Sequence, residues 1–150
     1  MAKFIGCYKA KLDDKGRLIF PAAFKSSMGE GASLRFVVKK SLFADCLEMY
    51  TFDEWEKDSE AVRSRLNPFN REHDRFWREY MRGTADVEPD GKLGRMTIPK
   101  ALLEKAGIGK DVVFAGSNHM IEIWDKETYE ASRMSTERYR ALAKELSQQR

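Results

Sequence analysis

The chain has 150 residues, 42% of them hydrophobic, and 27 Lys and Arg against 24 Asp and Glu. That composition suffices for one core shared by the whole chain, and its apolar runs are too short for a membrane span. The apolar part of the first six residues is also too short for a secretory signal, so Cys7 and Cys46 are expected as reduced thiols of a cytoplasmic protein. The small positive excess is unevenly placed: residues 1–47 carry nine basic against four acidic side chains. Clustered this way, it is either a solvated surface or the footprint of an anionic partner.

In chain order, Tyr8, Ala10 and Leu12 alternate with Lys9 and Lys11, the period of a half-buried strand. Asp13-Asp14-Lys15-Gly16 reads as a reverse turn, with the Asp13 carboxylate placed to bond the turn's backbone and Gly16 tolerant of a positive φ. Arg17 to Phe20 starts the return strand, which predicts a hairpin; Pro21 opens a short helix and Gly29 closes it. Two strands follow, Leu34–Lys39 and Cys46–Tyr50. Thr51 with Glu54 forms a capping box that opens a helix from about residue 52 to 65. Asn67-Pro68 is expected to start another helix, with Asn67 as N-cap. On it Phe69, His73, Phe76, Trp77 and Tyr80 share one face, which is expected to be buried, with His73 packed and hydrogen-bonded rather than catalytic.

The chain then repeats itself. Gly16, Arg17, Pro21 and Gly29 recur 78 positions later as Gly94, Arg95, Pro99 and Gly107. Leu47-Glu48-Met49-Tyr50 and Trp55 recur 74 positions later as Ile121-Glu122-Ile123-Trp124 and Tyr129. The second copy therefore predicts a second Gly-Arg corner, a short helix from Pro99 to Gly107 with Ile108 against its glycine cap, and strands Asp111–Ala115 and Met120–Trp124. Asp125 stands where Thr51 caps the first copy, and a final helix from about residue 126 carries Tyr139, Leu142 and Leu146 on one stripe. The expected fold class is α+β: a pseudo-twofold tandem repeat of β-hairpin units around a small barrel-like sheet core with flanking helices. It is one domain, with repeat one at 5–62, a helical insertion at 67–82 and repeat two at 83–150.

The chemistry of an enzyme is missing from the residues. His73 and His119 are the only histidines, and neither has a partner at metal-ligand spacing. The serines lie in no nucleophile motif, and Gly29-Glu30-Gly31 lacks the lysine of a phosphate cradle. Glu48 and Glu122 recur symmetrically and read as polar outward positions on strands, or as partners for an arginine. No enzyme, metal, cofactor or small-molecule substrate is expected. The repeated arginine is the informative group, because its planar fork pairs with guanine O6 and N7 or clamps a phosphate. A tight turn would push Arg17, Lys15, Lys11 and Lys9 out on one face. Equally, Arg17 and Arg95 could pair with Asp13 or Glu122 and brace the two halves.

The D-x-x-G-R…P element in two copies, the Ile-Glu-Ile-Trp strand end at 121–124 and the total length resemble the MraZ family of bacterial transcriptional regulators, across essentially the whole chain. The resemblance implies that each half has the AbrB-type swapped-hairpin DNA-binding fold. It implies a cytoplasmic, nucleoid-associated regulator that assembles as homo-oligomeric rings. Its partner would be double-stranded DNA, at short direct repeats upstream of the division and cell-wall gene cluster, its own gene included. The family's DNA-contacting arginine falls on Arg17 and, in the second copy, on Arg95, with Lys15 as helper. Lys11 and Lys92 complete the expected DNA contacts, and Asp13, Gly16 and Gly94 are the expected turn residues. The second copy departs from the pattern: Gly91 stands where the motif has aspartate, Asp90 is displaced by one, and Leu93 matches Lys15 with Lys92 one place earlier. The first corner is therefore the expected main reader. The alternative is an oligomeric protein-interaction module that uses the amphipathic helices around Phe76 and Leu142.

Overall fold

A computed structural model describes residues 3–149. Eight strands and six helices follow one another as β1 (Cys7–Lys11), β2 (Arg17–Ile19), α1 (Ala22–Met28), β3 (Phe36–Lys40), β4 (Leu47–Thr51), α2 (Phe52–Ser64), α3 (Arg71–Arg82), β5 (Thr84–Val87), β6 (Arg95–Thr97), α4 (Lys100–Lys105), β7 (Asp111–Ser117), β8 (Met120–Asp125), α5 (Lys126–Ala131) and α6 (Thr136–Ser147). The fold is α+β. Six strands form one sheet in the order β1-β7-β8-β4-β3-β5, and β2 pairs with β6 in a separate two-stranded ribbon. Every ladder is antiparallel.

The strands of the predicted hairpins do not pair with each other. β1 crosses to β7 of the second half, with Cys7 opposite Ala115 and Lys11 opposite Asp111. β5 crosses to β3 of the first half, and β2 meets β6 with Leu18 opposite Met96. The turn at 13–16 forms, since the Gly16 N–H donates to the Asp13 carbonyl at 3.1 Å and the Asp13 N–H to the Arg17 carbonyl at 3.0 Å. The chain leaving that turn continues into the other half instead of folding back. Each crossing satisfies one edge of the partner half's strands, which a local hairpin would leave open. Exchanging the two halves maps the pairings onto themselves at two places: Leu18 and Met96 are opposite each other in the ribbon, as are Glu48 and Glu122 in the sheet.

The core lies between the ribbon and one face of the sheet. Leu18, Phe20, Met96 and Ile98 enter it from the ribbon and its continuations, and Phe36, Val38, Leu47, Met49, Phe114, Ile121 and Ile123 from the sheet. Phe24 of α1 fills the space between Phe4 and Tyr8, edge-on to both. Gly116 is dictated by this packing, because a Cβ there would sit 2.6 Å from the backbone of Phe4. The opposite face of the sheet carries a second layer, in which Tyr80 stacks between Trp55 and Trp77 over Tyr50 and Val37. Lys39 is buried there, 3.3 Å from the Glu48 carboxylate, which also accepts from the Tyr50 hydroxyl at 2.9 Å. Glu122 accepts from the Trp124 indole N–H at 3.0 Å. Cys46 is fully buried beside Trp124, and the apolar surroundings push its thiol pKa up to about 12. Both cysteines are free.

Three helix expectations need correction. Asn67-Pro68 does not start α3. The Asn67 side chain accepts from the Phe69 N–H in a turn, and Asn70 is the N-cap, accepting from the N–H groups of Glu72 and His73. His73 is half-buried and its Nδ1 accepts from the Asn67 N–H at 2.8 Å. Second, the α3 stripe is not buried along its length: Phe69 is 95% and Phe76 40% exposed, because only the end bearing Trp77 and Tyr80 lies on the sheet. Third, the last helix is broken at 132–135, where the Ser135 hydroxyl caps α6 by accepting from the Arg138 N–H. Asp125 makes no side-chain cap and instead accepts from the Gly109 N–H at 2.9 Å. By contrast, Thr51 caps α2 through the Glu54 N–H, and the Pro21 and Pro99 carbonyls each accept the first bonds of a short helix.

Alternation along β2 sets up the first test. Leu18 faces the core and Ile19 faces outward, so Leu18→Ala should lower the unfolding free energy by about 2–5 kcal/mol while Ile19→Ala stays within about 0.5 kcal/mol. Denaturant titration of both variants measures this directly. On the far face of the sheet, Glu48→Gln removes the charge that pairs the buried Lys39 ammonium and should cost about 3 kcal/mol, read as a fall in melting temperature.

Candidate nucleic-acid interface

The two Gly-Arg corners sit at opposite ends of the β2–β6 ribbon, because the strands that leave them run antiparallel. Each corner is closed partly by the other half. The Ile98 N–H donates to the Gly16 carbonyl at 3.0 Å, and the Phe20 N–H donates to the Gly94 carbonyl at 2.8 Å. Gly16 and Gly94 both have positive φ, 75° and 73°, and a Cβ on either would lie 3.3 Å from a carbonyl of the other half. Any other residue would meet both the left-handed backbone penalty and that carbonyl.

The aspartates hold the turns. Asp13 Oδ1 accepts from the N–H groups of Lys15 and Arg17, both at 2.9 Å. These bonds, the Arg17 N–H foremost, hold the Asp13 carboxyl below the ordinary aspartate range, so it is ionised at neutral pH. Asp90 Oδ1 accepts from Lys92, Leu93 and Gly94, the Leu93 N–H being the main cause of its lowered pKa. Asp90 thus closes a corner one residue longer, and the Asp90 N–H still donates to the Arg95 carbonyl, as Asp13 does to Arg17.

The arginines share one face. Leu18 and Met96 turn inward, so Arg17, Ile19, Arg95 and Thr97 all stand on the outer side of the ribbon, Arg17 opposite Thr97 and Ile19 opposite Arg95. Diagonal neighbours in such a pair lie about 7–8 Å apart. Arg17 donates its Nε–H to Asp13 Oδ2 at 2.7 Å, and the terminal nitrogens of the fork have no acceptor among the described residues. The bond therefore fixes the guanidinium at the corner as well as bracing the turn. Arg95 has no ion pair with a described residue, although Asp90 Oδ1 alone takes the three backbone N–H groups. Glu122, offered as a brace for Arg95, lies in the sheet and bonds Trp124 instead.

Lys15 and Lys92 are exposed at the two corners, one at each end of the ribbon. Lys11 and Lys9 are placed differently. On β1 the alternation turns Tyr8 and Ala10 to the core and the lysines to the outer side of the six-stranded sheet, and Lys11 is paired with Asp111 at 2.6 Å. The four basic residues do not share one face, because β1 joins the sheet while β2 joins the ribbon. Ile19 and Thr97, not singled out in the sequence, complete the ribbon's outer face. The alternation of Leu18 and Phe20 was the signal that could have found them.

The family model described as "MraZ protein, putative antitoxin-like" matches residues 4–78 and again 80–148. The chain is 35% identical over 146 residues to a protein of Bacteroides fragilis named Transcriptional regulator MraZ, covering 97% of this chain and 92% of that one. It is 39% identical over 133 residues to the protein of that name in Caldanaerobacter subterraneus, covering 89% and 88%. For the one in Lachnoclostridium phytofermentans the identity is 41% over 129 residues, or 86% of each. Matched in both halves by the family model, and by relatives along most of their length, the chain belongs to the MraZ family.

Proposed function

We propose that this chain is a sequence-specific DNA-binding transcriptional regulator that reads double-stranded DNA with the outer face of the β2–β6 ribbon. The observation that carries the reading is the placement of Arg17 and Arg95 on one exposed face of a two-stranded ribbon, an element that the major groove admits. The terminal nitrogens of Arg17, without an acceptor among the described residues, can bond guanine O6 and N7, and the Asp13 bond holds the guanidinium in place, which lowers the entropy lost on binding. Lys15 and Lys92, at the two ends of the ribbon, supply contacts to the phosphates on either side of the groove. The exchange of strands between halves supports the AbrB-type swapped-hairpin description of the fold.

The reading extends to assembly and target. α6 has no buried residue, with Tyr139 68% and Leu146 63% exposed, Phe69 stands exposed in the turn before α3, and Phe76 of α3 is partly exposed. Such faces support a homo-oligomeric ring in which several ribbons engage tandem DNA sites at once and gain through effective concentration. Short direct repeats upstream of the division and cell-wall gene cluster, this chain's own gene included, are the proposed targets. The protein would act in the cytoplasm, on the nucleoid. It would need no metal, cofactor or catalytic group.

Two experiments test this. In binding titrations, Arg17→Ala should cost about 1–3 kcal/mol per base contact and abolish discrimination between cognate and scrambled duplexes. Arg95→Ala should cost less, since no described residue pairs with it. Lys15→Ala and Lys92→Ala should weaken all sequences alike and reduce the salt slope by about one each, whereas Lys11→Ala, on the sheet side, should change neither. A folded Arg17→Ala protein with unchanged affinity would remove the ribbon from the site. For assembly, light scattering should give a multimer for the wild-type chain and a smaller species for Leu142→Glu with Leu146→Glu. A strict monomer that still binds tandem sites tightly would refute the ring.

A further inference from the structure

The outer face of the ribbon carries two side chains besides its arginines, and they are not alike. Ile19 and Thr97 occupy equivalent places in the two halves, 78 positions apart like Arg17 and Arg95. Ile19 is 53% exposed directly opposite Arg95, and Thr97 is exposed directly opposite Arg17. An isolated exposed aliphatic residue on a protein surface is ordinary. Here it is the one wholly apolar side chain among the four on that face, and it stands beside two guanidinium groups. Side chains directly opposite in an antiparallel pair have Cβ atoms about 4.5–5.5 Å apart. A group that close to Arg95 reaches the base pair beside the one the arginine takes.

We propose that Ile19 is a specificity-determining residue that selects thymine by packing against its C5-methyl group in the major groove. The inference rests on the DNA-reading function above. Isoleucine has no donor or acceptor, so against the polar edges of cytosine, adenine or guanine it can only leave groups without partners. The thymine methyl is the one apolar feature of the groove, and apolar contact is how proteins read it. Thr97, at the equivalent place, offers a hydroxyl that donates and accepts and so tolerates several base edges. The two halves of the ribbon therefore demand different bases. One chain reads a site that is not palindromic, although its two arginines are related by the exchange of the halves. A site without internal symmetry recurs as direct repeats when several ribbons point the same way along the DNA.

The test uses the full-length protein and a duplex that it selects from a randomised pool. Each thymine of the selected site is replaced singly by deoxyuridine, which keeps the base-pairing edge and lacks only the methyl. The wild-type protein should bind about fourfold more weakly when the thymine beside an arginine-dependent guanine is replaced, the worth of one buried methyl-sized group. Ile19→Ala should bind the thymine and deoxyuridine duplexes equally at that position, keep its requirement for the guanines, and melt like wild type. Equal binding of every deoxyuridine duplex by the wild-type protein would overturn the proposal, as would undiminished discrimination by Ile19→Ala. Selection of no sequence, or indifference to Arg17→Ala, would overturn the DNA-reading function itself, and this proposal with it.

Discussion

The three-residue pairing of β2 with β6 is the constraint from which the rest of the molecule follows. So short a ribbon has little stability of its own. It is held because Leu18 and Met96, opposite each other, are both buried under the sheet, and because each corner glycine gives its carbonyl to an N–H of the other half. Each half needs its counterpart to complete its corner, although the turn itself is held by local bonds. The same exchange sends β1 to β7 and β5 to β3, so the six-stranded sheet and the ribbon close on one core. With period-two alternation, burying Leu18 and Met96 forces Arg17 and Arg95 outward on a common face. The placement of the arginines is thus a consequence of core packing.

The two corners solve one problem in two ways, and the difference matters for the proposed reading. In the first corner a single carboxylate both closes the turn and grips the arginine Nε–H. In the second, the added residue brings three backbone N–H groups to Asp90 Oδ1, and Arg95 makes no ion pair with a described residue. A guanidinium held by such a bond loses less entropy on binding than one without it. The outer side of the molecule divides in a similar way. The ribbon's outer face is small and carries both arginines with one exposed aliphatic side chain, Ile19, while α3 and α6 expose Phe76, Tyr139 and Leu146.

Much of this was legible in the residues. The 78-residue and 74-residue offsets reappear as the two self-symmetric pairings, Leu18 with Met96 and Glu48 with Glu122. The Thr51 cap, the glycine-closed helices and the Asp13 turn are local, and local chemistry announces them. The strand exchange was not legible from the segments themselves: Tyr8–Phe20 carries every signal of a hairpin, and only the long-range competition for strand edges decides its partner. The α3 stripe misled for a related reason. Helical periodicity records an apolar face but not what covers it, and the sheet takes only the end of this face bearing Trp77 and Tyr80, leaving Phe69 95% and Phe76 40% exposed. Lys11 was grouped with Arg17 by proximity in sequence, whereas the change from sheet to ribbon between them sends the two side chains to different sides.

Methylation interference on a bound duplex tests the central claim, that the arginine face of the ribbon enters the major groove. Methyl groups on guanine N7 occupy that groove, and those on adenine N3 occupy the minor groove. The ribbon geometry predicts that N7-methylated guanines are depleted from the bound fraction at each repeat, and that Arg17→Ala erases the depletion. Interference confined to adenine N3, or none at either atom, would contradict the account.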